Sequence, residues 1–227
     1  MTEAMGELPS HAPETSPSLF WAVVSSTAGL FIASSVLHLV LRAPTEDLMT
    51  DWRLLGVLGL ELVMALCWVP LLRRRGWTMR HVSYPGANRD VFIGASLALY
   101  AYLAYWLVFM IVGAVSPQYI RAASTVHIGG TISPSIAILA SVANPVAEEF
   151  LYLGFVANVL RKEGVAIALS VSVLFRVLVH LYQGPALLAS VPFGVVLAAY
   201  YLQSRRIWPA IVAHSFMDLI ALSRLMR

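Results

Sequence analysis

The sequence reads as an all-α membrane protein, a polytopic bundle of about seven transmembrane helices. Composition points there first. Hydrophobic residues make up 59% of the 227, charged residues only 12%, and the mean hydropathy is +0.77. Soluble domains carry about a quarter charged residues. Patterning points there too. Apolar runs of the roughly 20 residues needed to cross a bilayer recur along the chain. No β-barrel alternation appears, so helices are the remaining way to satisfy a backbone in lipid.

Composition also excludes function classes. The net charge is +3 and comes almost wholly from arginine, with Lys162 the only lysine. No basic face with interleaved aromatics lies outside the apolar runs, so a nucleic-acid partner is not expected. Cys67 is the only cysteine, which rules out an intrachain disulfide. Residues 1–17 are polar, acidic and rich in Pro and Ser, without the basic start of a secretory signal. They read as a disordered tail before a retained first helix.

The expected helices, in order, run near Ser18 to Leu41, Leu54 to Leu72, Val91 to Val115, Ser135 to Leu160, Gly164 to Leu181, Ala186 to Gln203 and Ile207 to Leu222. Arg73, Arg74, Arg75, Arg80 and Arg89 follow the second. Arg161 and Lys162 follow the fourth, and Arg205 and Arg206 the sixth. With seven spans these three loops share one side, and the excess of positive charge makes it the cytoplasmic one.

Polar side chains inside such runs are costly and mark sites by default. The fourth helix carries Asn144-Pro145-Val146-Ala147-Glu148-Glu149. Proline removes a backbone hydrogen bond there and loosens the helix. Adjacent residues point about 100° apart, so Glu148 and Glu149 divide their tasks. One can face a cavity while a structural partner holds the other. On the fifth helix Arg176 and His180 lie four apart on one face, as do His214 and Asp218 on the seventh. Imidazole and carboxylate on one face can bind a metal, hold a tautomer or support an oxyanion. Glu61 and His38 stand alone in the second and first helices and read as helix–helix hydrogen bonds or packing groups. Tyr100, Tyr102, Tyr105 and Trp106 read as interfacial belt or packing.

Glu148-Glu149, then His180, then His214-x-x-x-Asp218, on the fourth, fifth and seventh membrane helices, resemble the CPBP family of intramembrane proteases, also called the CAAX-protease or Abi family. The resemblance covers about Ser135 to Leu222 and marks residues 131–227 as the protease-like core. Residues 18–130 form membrane helices without a motif. Two positions depart from the family pattern. Leu153 stands where the family has arginine, and Arg176 where it has phenylalanine. The expectation is that the guanidinium has moved between helices and pairs with Glu149.

The resemblance implies an intramembrane endopeptidase acting on a membrane-associated protein or peptide. By similarity Glu148 is the base and His180 orients or deprotonates the water. His214 and Asp218 support the oxyanion, with Glu149 and Arg176 supporting the site. A zinc centre on Glu148, His180, His214 and Asp218 is the rival, disfavoured because a fixed guanidinium repels a dication. No cofactor is favoured, with Zn as the alternative. A pseudoprotease that binds membrane segments, or a proton- or ion-coupled transporter, remains a different reading of the same residues. The expected location is a multi-pass position in a bacterial inner or plasma membrane.

Overall fold

The computed structural model describes residues 12–41, 49–124 and 130–227. All of the regular structure among them is helical, with one isolated parallel bridge between Ile132 and Met226. The first expected helix is two pieces, α1 (Pro17–Ser26) and α2 (Ala28–Leu41). They meet at Thr27, whose hydroxyl donates back to the Val23 carbonyl at 2.6 Å. The second is α3 (Asp51–Arg74), capped by the Thr50 side chain. A short α4 (Met79–Val82) precedes α5 (Arg89–Val115) and α6 (Pro117–Ser124).

The fourth expected helix is a composite. It starts as α7 (Pro134–Glu149), widens into a π-helical stretch over Phe150–Ala157, and ends as α8 (Asn158–Leu160) with a 3-10 turn over Arg161–Glu163. Gly164, at φ 124°, breaks the chain before α9 (Val165–Val179). A 3-10 stretch, Leu181–Ala189, leads into α10 (Ser190–Ser204), and the chain closes with α11 (Trp208–Ser223). The sixth helix starts later than expected because Gly184, at φ 54° and followed by Pro185, keeps residues 181–189 out of it.

All seven expected helices are present, but their lengths divide them. Four stretches are long and apolar enough to cross a membrane: Pro17–Leu41, Asp51–Arg74, Arg89–Val115 and Pro134–Glu163. Helices α9, α10 and α11 have 15, 15 and 16 residues. At 1.5 Å per residue they reach about 22–24 Å, short of a hydrocarbon core of about 30 Å. The chain is thus an integral membrane protein with four helices that meet the length criterion. The count of about seven spans came from apolar runs, which do not separate a spanning helix from a short one packed inside the bundle.

Burial follows the same division. The core is built from α1, the π-helical stretch, α9, α10 and α11, with Tyr152, Val156, Ala168, Leu197, Tyr201 and Ala210 almost fully enclosed. Helix α3 has no buried residue, and Trp52, Leu62, Val63 and Leu66 stand out from it. On α5, Tyr102, Tyr105, Trp106 and Phe109 form an aromatic cluster. His38 accepts a 3.2 Å hydrogen bond at Nε2 from Arg53, joining α2 to α3 as a lone membrane histidine was expected to do.

The termini of the helices corrected two expectations. Of the tail 1–17, residues 1–11 lie outside the described residues. Ala12 packs against the core and Thr15 is buried, so the described end of the tail is packed on the protein. Arg205 and Arg206, expected as loop charges, are also buried. Arg206 grips Asp90 through Nε and Nη2 at 2.8–3.0 Å. Arg205 donates to Asn158 at 2.6 Å and to the His81 carbonyl at 2.7 Å. These residues staple the α10–α11 connection to α4, to the first turn of α5 and to α8.

Candidate active site

The site lies where α7, α9 and α11 converge. Glu149 is the last residue of α7 and is fully enclosed. A buried carboxylate needs a cation and hydrogen bonds to be tolerated. Arg176, on α9, supplies both. One terminal nitrogen, Nη2, donates to Oε1 at 2.8 Å and to Oε2 at 2.7 Å. The pairing expected from the displaced arginine is therefore present.

His214, on α11, makes the third contact. Its Nδ1 lies 2.7 Å from Glu149 Oε1 and 3.4 Å from Arg176 Nη1. The guanidinium can only donate, and the carboxylate can only accept. The proton on Nδ1 therefore goes to Glu149, which leaves Nε2 facing Asp218 Oδ1 at 3.5 Å. Asp218 lies one turn further along α11 and is partly exposed.

Glu148 has a different environment. Asn144, one turn earlier, donates to Oε1 at 3.4 Å. Oε2 is buried, with no hydrogen-bond partner among the described residues, 3.6 Å from Arg176 Nη1. The two adjacent carboxylates thus divide as their 100° offset requires. Glu149 is saturated, and Glu148 keeps an acceptor open beside a positive charge.

His180 follows the end of α9. Its Nδ1 donates to the Arg176 carbonyl at 2.8 Å, one of the orphan carbonyls of the helix terminus. That bond fixes the ring and leaves Nε2 available. Tyr182 stacks beside it at 5.9 Å, and its backbone N–H is held by Ser35 of α2 at 2.7 Å.

Several residues that position the site carry no signal in the sequence. The guanidinium of Arg176 sits between the rings of Tyr152 and Phe193, with its central carbon 5.1 and 5.5 Å from their centroids. Phe193 also packs edge-on against His214 at 5.0 Å. Gly194 lets α10 approach this closely, since a Cβ there meets Arg176 Cδ at 3.1 Å. The π-helical stretch begins at the residue after Glu149 and places Tyr152 beneath the guanidinium. Such widened turns recur at functional sites. Leu153, where the family carries its arginine, is buried in the apolar core.

The six residues singled out from the sequence therefore form one cluster. Among the described residues no group of three or more His, Cys, Asp or Glu side chains is arranged to hold an ion. The Arg176 guanidinium lies 2.8 Å from Glu149 Oε1, 3.4 Å from His214 Nδ1 and 3.6 Å from Glu148 Oε2.

Residues 130–220 match the model of a family described as type II CAAX prenyl endopeptidase Rce1-like. No curated protein and no solved structure matches the chain.

Proposed function

We propose, on the premise that residues 130–220 are of the CPBP/CAAX protease family, that the chain hydrolyses a peptide bond of a membrane-associated protein or peptide with Glu148 as the base. The observation that carries this reading is the open Oε2 of Glu148. It is buried, lacks a hydrogen-bond partner among the described residues, and lies beside a charge-stabilising arginine. A base must reach the proton it removes, and this atom is the acceptor left over once Glu149, Arg176 and His214 have satisfied one another.

In this reading Glu148 takes a proton from water as the oxygen adds to the scissile carbonyl carbon. His180 Nε2 holds the water from the other side. With a further proton on the His214–Asp218 pair, that pair donates toward the carbonyl oxygen where negative charge develops, and Arg176 adds a fixed positive field. The proton on Glu148 then passes to the leaving nitrogen as the C–N bond breaks. The steps are written without a metal, since a guanidinium fixed beside both carboxylates disfavours a dication.

The test is cleavage of a membrane-peptide library by purified protein. Wild type is compared with Glu148→Ala, each with and without chelator. Cleavage lost in the variant and retained in chelator supports the glutamate reading. Cleavage lost in chelator overturns it in favour of a metalloprotease. An inert wild type over a broad library removes the endopeptidase reading altogether.

A further inference from the structure

The end of the composite fourth helix borders a cavity that the cluster around Glu148 does not use. It has a volume of about 310 Å³ and lies between residues 12–15, just before α1, and Asn158, Val159, Arg161 and Lys162. Pro17–Leu41 and Pro134–Glu163 are two of the stretches long enough to cross a membrane. The cavity therefore sits where the start of one span meets the end of another, at the level of the lipid headgroups.

Behind its wall the charges do not balance. Arg205 is 9% exposed, and its guanidinium donates to Asn158 Oδ1 at 2.6 Å and to the His81 carbonyl at 2.7 Å. Both acceptors are neutral, and among the described residues no carboxylate pairs with Arg205. A buried charge is ordinarily paired. Arg206, next in the chain, shows the usual solution, since Asp90 takes its guanidinium at 2.8 Å. Arg161, half-buried on the cavity lining, also has no ion-pair partner among the described residues. Lys162 meets Glu163 at 3.8 Å, but both side chains are more than half exposed, where such a pair is worth little. Glu14 on the lining is exposed as well. Arg161, Lys162 and Arg205 thus stand against two carboxylates that water already solvates. Arg205 also holds φ at 57°, a left-handed backbone that a side chain such as arginine adopts at a cost. Such outliers gather at ligand clamps.

We propose that this cavity binds a phosphate group at the membrane face, carried by an anionic lipid or free in solution. A phosphate there accepts from Arg161 and Lys162, and such charge-assisted bonds are the strong ones. It also supplies the negative charge missing beside Arg205. Asn158 joins the two, since it lines the cavity while its Oδ1 accepts from Arg205 and its Nδ2 donates to the His81 carbonyl. Basic pockets between membrane helices take anionic headgroups for the same reason. Occupancy ties residues 12–15 to the end of the span that carries Glu148 and Glu149.

The experiment follows thermal unfolding of the full chain in a neutral detergent, since a ligand of the native state raises Tm by mass action. Phosphatidylglycerol, phosphatidylcholine and inorganic phosphate are each titrated into wild type, into Arg161→Gln/Lys162→Gln and into Arg73→Gln/Arg74→Gln/Arg75→Gln. The triple variant removes exposed charge at the end of α3 and leaves the cavity lining intact. The expected result is a saturable rise in Tm for wild type and the triple variant. In the cavity variant its midpoint moves to about tenfold higher ligand, the scale of one charged hydrogen bond. Lys162→Gln alone, at an exposed position, makes the same comparison if the double variant does not fold. Saturation by phosphatidylglycerol but not by inorganic phosphate assigns the group to a lipid. Saturation by both assigns the site to phosphate itself. Equal midpoints in wild type and the cavity variant overturn the proposal. So does an equal weakening in the triple variant, which is the response of a basic face at large. An equal response to phosphatidylcholine, whose phosphate already has a cation, or no saturable response to either phosphate ligand, overturns it too.

Discussion

Arg176 and Glu149 stand 27 residues apart in the chain and meet at 2.7 Å inside the bundle, with the guanidinium 2% and the carboxylate 0% exposed. This is the point from which the rest of the site is fixed. Arg176 holds Glu149, reaches Glu148, and through its own carbonyl orients His180. One residue on α9 therefore sets the position of three others.

Removing that cation leaves a buried carboxylate without its charge partner. Arg176→Met is expected to lower stability by about 3–5 kcal/mol, the usual penalty for breaking a buried pair from one side. Glu149→Gln in the same protein takes away the stranded charge and keeps an acceptor for His214 Nδ1–H. The double variant should regain much of the lost stability without regaining cleavage. Thermal unfolding in detergent across the four proteins of the cycle checks this. Simple additivity of the two losses would mean that the pair is not coupled as the geometry states.

The contact between Gly194 and Arg176 makes a graded prediction. A Cβ on Gly194 lies 3.1 Å from Arg176 Cδ and 3.5 Å from both methyls of Val173. Alanine asks the arginine stem to give by a few tenths of an ångström. Valine adds two methyls and displaces the guanidinium from its place between Tyr152 and Phe193. Gly194→Ala should be mild, and Gly194→Val should reduce kcat by about 100-fold, the effect of a misplacement near 1 Å. Steady-state rates of the two variants on one peptide measure the gradient.

The sequence made the helices legible because lipid demands runs of a fixed length and little else. The expected Val91 to Val115 became Arg89–Val115, and Ile207 to Leu222 became Trp208–Ser223. Which helices are long enough to cross was not legible, since α9 and α11 are apolar like the long helices and fall short only in length. The six residues of the cluster were legible through residue types that membranes exclude. Asn144 stood out for the same reason, though only the fold shows its bond to Glu148. Gly194, Phe193 and Tyr152 look like any other apolar helix residue, and their meaning lies in what approaches them. The Arg206–Asp90 pair spans 116 residues and leaves no periodic trace, so Arg206 read as loop charge.

That pair predicts a stability effect separable from chemistry. Asp90 accepts from Arg206 Nε and Nη2 and from the Ala87 backbone N–H at 2.8 Å, while Arg206 also reaches the Pro85 carbonyl. None of these groups belongs to the cluster around Glu148. Asp90→Leu leaves the arginine buried and uncompensated, and a cost of about 3–5 kcal/mol is expected. Activity per folded molecule at low temperature should remain near that of wild type. A parallel loss of kcat at a temperature where the variant is folded would show that the staple and the site are mechanically linked.

A close crossing of α5 and α11 supplies the last prediction. A Cβ on Gly94 of α5 lies 2.6 Å from Val212 Cβ and Cγ1 and 2.8 Å from the Pro209 carbonyl oxygen, all on α11. The obstacles are backbone and the root of a side chain, so no rotamer change relieves them. Alanine there must push α11 away, and α11 carries His214 and Asp218. An overpacking cost of about 1–3 kcal/mol is expected. For a chain of this size that corresponds to a fall in Tm of about 2–4 °C per kcal/mol. Gly59 of α3 is the control, since an added Cβ there meets nothing within 4 Å. Gly59→Ala should be neutral or slightly stabilising, as alanine favours a helix over glycine by up to about 1 kcal/mol. If Gly94→Ala unfolds at the same temperature as Gly59→Ala, α5 and α11 do not approach as closely as the structure has them, and the positions of both α11 site residues must be revised.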